Sequence, residues 1–106
     1  MDVTLKNPIT FDGVVHSKLI LDFDELSGQD LINATKETKA LGDQSPVIEF
    51  SKIYLSVVVA KAAKVPVDLI LALKAKDFTL VTLHCQNFLL DGSSEQGQMQ
   101  LSAQLQ

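Results

Sequence analysis

Tryptophan is missing from this chain, and cysteine occurs once, at Cys85. With five Phe and one Tyr as the only aromatics, a core must be built from aliphatic side chains. A single cysteine excludes an internal disulfide, which suits a reducing compartment. The five glycines are scattered, so no Gly-rich loop exists to cradle phosphate. No Cys or His pair has zinc spacing. Basic charge is scarce: nine Lys and Arg face thirteen Asp and Glu, a net charge of −4. That argues against nucleic acid, whose binding needs a basic face to release counterions. It argues equally against adsorption to an anionic membrane. The longest apolar runs, such as LSVVVA, are too short to span a bilayer. The N-terminal MDVTLKNP has no basic stretch followed by an apolar one, so no signal peptide is read there. The expectation is a soluble intracellular protein.

What is present is dense apolar patterning. The chain has 106 residues, 46% of them hydrophobic, enough for one folded domain. In its first part apolar residues alternate: Val3, Leu5, Ile9 and Phe11, then Val15, Leu19, Leu21 and Phe23. Period two predicts strands with one buried face, hence a hairpin over about residues 2–23. Asp12-Gly13 marks its turn. A three-residue loop ending in Gly13 keeps the odd positions opposite one another, so a type I turn with a Gly bulge is expected. Pro8 donates no hydrogen bond and should interrupt the first strand or place it at an edge.

Four helices follow in the pattern. The first, about 28–41, has Ser27 as N-cap with Asp30 three residues on, and Gly42 placed to end it. The second, about 46–63, reads as starting at Ser45-Pro46 and is apolar nearly all round, hence central. The third, about 66–73, starts at Pro66. The fourth, about 75–90, carries Phe78, Val81, Cys85 and Phe88 at helical spacing. The order predicts an α+β domain, residues 1–90, with an N-terminal β-hairpin before a bundle of about four helices. Residues 91–106, rich in Ser, Gly and Gln, bury too little apolar area to offset ordering and are expected to form a flexible tail. Within them Met99, Leu101, Ala103 and Leu105 alternate with polar residues, so an extra edge strand is the other reading.

Chemistry-bearing constellations fail on inspection. His84 and Cys85 are neighbours, but adjacent residues on a helix do not face each other. A buried Cys85 and a surface His16 are expected instead. The acidic run DFDELSGQD invites a calcium loop starting at Asp22, yet Leu26, Ser27 and Asn33 stand where a ligand, a glycine and a glutamate are needed. No catalytic, metal or cofactor residue is assigned.

Four ordered motifs remain. They are L-x-x-P-I-x-F-x-G from Leu5 to Gly13, L-x-L-D-F-D-x-L-S-G-x-D-L from Leu19 to Leu31, and V-P-x-D-L-I from Val65 followed by A-K-D-F-x-x-V-x-x-x-x-Q-N-F-L-L from Ala75 to Leu90. In this order they resemble the small tail assembly chaperones of tailed bacteriophages, the Mu-like group and its prophage relatives in Gram-positive bacteria. The resemblance spans residues 3–90. It departs at Lys74, where Pro or Ser is expected as a helix start. It implies a non-enzymatic protein of the host bacterial cytoplasm, absent from the mature virion. Such a protein binds the tape measure protein and keeps it soluble until tail-tube subunits polymerise. It implies also two products related by a ribosomal frameshift, parting company at the polar tail. Self-association is a further expectation. Candidate partner-binding residues are Phe50 and Tyr54, on one helix face, and Leu90 beside the tail; Phe50 and Tyr54 in the core is the alternative. The competing functional readings are a structural tail or head–tail connector component and an unrelated regulatory adaptor.

Overall fold

A computed structural model describes residues 1–48 and 51–91. It has the expected α+β architecture: an antiparallel hairpin of β1 (Asp2–Phe11) and β2 (Val14–Ile20), then α1 (Gly28–Ala40), α2 (Lys52–Ala63), α3 (Val67–Leu71) and α4 (Ala75–Asp91). A 3-10 turn, Phe23–Glu25, joins hairpin to helices. No helix among the described residues is long and apolar enough to cross a membrane.

The hairpin turns in two residues, not three. Asp12 and Gly13 both have positive φ, 52° and 78°, the combination a type I′ turn requires. Phe11 therefore pairs with Val14 and Thr10 with Val15. The parity conflict that argued for a longer loop is resolved elsewhere. Between the pairs Thr4–Lys18 and Ile9–His16, the four residues Leu5 to Pro8 stand opposite Ser17 alone. This irregularity surrounds Pro8, which has no N–H to give the ladder. On the inner side Val3 faces Leu19, and both are buried with Leu5. On the outer side the face of β2 is inverted: His16 shares a face with Ile9 and is half-buried, while Val15 is 68% exposed. Val15 was expected inside and His16 outside. The slip by an odd number of residues exchanges them.

The ends of α1 are those the sequence signals. Ser27 and Asp30 form a reciprocal capping box. At the other end Gly42 N–H donates to the Lys39 carbonyl and Asp43 N–H to the Thr38 carbonyl, with Gly42 at φ 99°. That is a Schellman closure.

The start of α2 differs from expectation. The helix begins at Lys52 and not near Pro46, because Ser51, not Ser45, is its N-cap and accepts from the Tyr54 N–H at 2.9 Å. Ser45 is engaged by Asp43, whose carboxylate accepts from both its N–H and its hydroxyl. A residue before proline also avoids helical backbone. The hydroxyl of Ser45, then that of Ser51, hold the Asp43 carboxyl below its ordinary value. α3 is shorter than read. Pro66 caps it from outside, and Leu73 N–H turns to the Ile70 carbonyl, closing the last turn early.

α2 is central as expected. Residues Tyr54 through Ala60 are all buried, and the helix packs on α1, α3 and α4. The core is aliphatic, with Val57, Val58, Val59, Leu69, Ile70 and Val81 essentially inaccessible. Burying each such side chain contributes about 1.5–3 kcal/mol. Its polar intruders are satisfied locally: the hydroxyls of Thr38, Ser56 and Thr82 each donate to a carbonyl four residues earlier. Phe23 stacks on Phe88 at 5.1 Å, fixing the end of the hairpin against the last turns of α4.

Candidate functional site: an apolar groove beside the end of the last helix

Among the described residues one charged side chain is fully buried, and it explains how the hairpin is held. Asp77, in the first turn of α4, accepts from the backbone N–H groups of Lys6 and Asn7 at 2.9 and 2.8 Å. These are the residues of β1 that the irregular pairing takes out of the ladder. The carboxylate supplies the acceptors that β2 does not, through charge-assisted bonds. No local sequence signal identifies this contact, because the partners lie 70 and 71 positions away. The hint is the Asn7-Pro8 break, which leaves donors in need of an acceptor.

The opposite end of α4 is different. Leu89 and Leu90 form one wall of a groove of about 350 Å³, with Gln86 beside them. Leu31 of α1 and Val47 of the α1–α2 connection form the other side, and Tyr54 and Leu55 of α2 lie between. Leu90 is 63% exposed and Val47 51% exposed, so the rim is open to solvent. Tyr54 is only 4% exposed. Of the partner-binding candidates, Leu90 and Tyr54 are thus brought to one groove, Leu90 as rim and Tyr54 as a core residue at its base. Phe50 lies outside the described residues. Leu31 and Val47 were not singled out from sequence. Leu31 reads as one member of a thin helical stripe, and Val47 sits in a stretch read as helix.

A second hollow, of about 490 Å³, is mixed in character, with Met1 and Leu21 among its lining residues. It is lined by Asp22, Asp24, Glu25, His84 and Asn87, with the stacked Phe23 and Phe88. Among the described residues no three His, Cys, Asp or Glu side chains are grouped to hold a metal ion. His84 lines this hollow, whereas its neighbour Cys85 is buried in the core. Burial pushes the Cys85 thiol up to about 12, which leaves it protonated and unreactive at neutral pH. The two neighbours therefore do not form a thiolate–imidazole pair. What the arrangement offers chemically is reversible contact: an open apolar surface on an acidic body.

In comparison with known proteins, no family model matches the chain, and neither a curated protein nor a solved structure is significantly similar to it.

Proposed function

We propose that this protein is a bacteriophage or prophage tail assembly chaperone whose apolar groove docks a segment of the tape measure protein. The observation that carries the reading is where the groove's walls come from. Leu31 belongs to the L-x-L-D-F-D-x-L-S-G-x-D-L motif and Leu89–Leu90 to the Q-N-F-L-L motif. Residues from two of the motifs that carry the resemblance thus meet at the open apolar surface, beside Val47, Tyr54 and Leu55. Exposed apolar area of this kind is unfavourable in water unless a partner covers it. A long tail-length ruler, rich in apolar helices awaiting tube subunits, is a partner that needs such cover.

The protein would act in the bacterial cytoplasm and leave before the virion is complete. The test is co-expression with a candidate tape measure protein. The chaperone reading expects a several-fold rise in soluble tape measure protein and no trace of this chain in mass spectra of purified particles. Equal insolubility with and without the chain defeats the reading. A stoichiometric amount in mature particles favours a structural tail or connector component instead.

A further inference from the structure

We propose that the groove has an occupant within the same chain: residues 99–105 dock into it and compete with an external partner. Three observations converge. The first is continuity. The described residues end at Asp91, one residue past Leu90 on the groove rim, and fifteen residues follow. Residues 91–98, DGSSEQGQ, hold two glycines and no large apolar side chain. They can reverse direction and reach at most about 26 Å, enough to return Met99 to the groove. The second is chemistry. Met99, Leu101, Ala103 and Leu105 are the apolar residues beyond Leu90, and they alternate with Gln and Ser. In an extended segment all four point to one side while the polar residues point to water. The third is the groove's own polarity. It is apolar but for Gln86 and the Tyr54 ring. The Gln86 amide can both donate to and accept from the backbone of an extended segment laid along the rim.

Tethering strengthens such a contact without new interactions. A tether of this length gives an effective concentration in the millimolar range, so weak contacts suffice to fill the groove until a tighter binder arrives. The inference rests on the docking role proposed for the groove, but its test needs no partner. A spin label is placed at residue 102 of the full chain through Ser102→Cys; buried Cys85 stays unlabelled in the folded protein. Methyl spectra are recorded with the label oxidised and reduced. The expected result is at least a twofold loss of Leu31, Val47 and Leu90 methyl intensity, unchanged over a tenfold dilution. It is abolished when Met99 and Leu101 are also replaced by Ser. No broadening at the groove overturns the proposal. So does broadening confined to Val14, Val15 and Ile20, which places the segment on the hairpin edge. So does broadening seen only between labelled and unlabelled copies, which makes the contact intermolecular. Any of these leaves the co-expression experiment standing, and a tape measure protein indifferent to the chain leaves the broadening untouched.

Discussion

The two ends of α4 are built to opposite rules. At its start a carboxylate is buried and both of its oxygens are matched by backbone donors of β1. At its end a leucine is left 63% exposed at the mouth of an apolar groove. One end spends a buried charge on holding a hairpin whose ladder is broken. The other keeps apolar surface in water, which no folding argument favours. A side chain that satisfies the fold and a side chain that strains against it, on the same helix, separate structure from function more sharply than composition can.

The contrast can be broken first at Asp77. Asp77→Ala removes both acceptors from two part-buried N–H groups of exposed residues, so a loss of about 2 kcal/mol is expected in urea unfolding. Asp77→Asn keeps one acceptor and should lose less. A loss below about 1 kcal/mol for Asp77→Ala would mean that water replaces the carboxylate and the hairpin is held by packing alone. Next in size is Ser27→Ala, which removes half of the capping box of α1, the helix that carries Leu31. About 1 kcal/mol is expected, read the same way.

Midway along α4, Cys85 gives a pH signature. Its thiol titrates at about 12 in the folded protein against 9.0 in the open chain. A folded value above the unfolded one means full stability below about pH 9 and progressive loss as pH rises toward 12, as the unfolded chain releases its proton first. Cys85→Ala should flatten that slope. Alkylation of the thiol at pH 8 should proceed only at the rate of unfolding, and rapid labelling of the native protein would show the residue is accessible. Smallest in stability is Leu90→Asp, expected within about 0.5 kcal/mol of the parent because the side chain is on the rim. If it destabilises by several kcal/mol, Leu90 is a core residue and the groove is no docking surface.

The elements themselves were legible because their signals are local. Alternation gave the hairpin, and Ser27 with Asp30 gave the start of α1. Gly42 marked its end, and the run from Tyr54 to Ala60, apolar but for Ser56, placed α2 at the centre. Ser45-Pro46 misled because two serines, six residues apart, both qualify as caps, and Asp43 decides between them. The hairpin turn misled because parity was assumed constant along β1, whereas a break around Pro8 can absorb an odd slip anywhere. The groove was half legible. Leu90 stands out as the last aliphatic residue before a polar stretch, and Tyr54 as the sole tyrosine. That Leu31 and Val47 join them depends on how α1 and α4 pack across α2, which no local pattern encodes. Asp77 drew no reading from the sequence for the same reason.

The central claim is that the open end of α4 is where the partner binds. It is tested most directly by co-expressing a candidate tape measure protein with the parent chain and with a Val47→Asp, Leu90→Asp variant whose fold is checked by its unfolding midpoint. The account predicts an unchanged midpoint and a several-fold fall in soluble tape measure protein. An unchanged midpoint with undiminished solubility would contradict it.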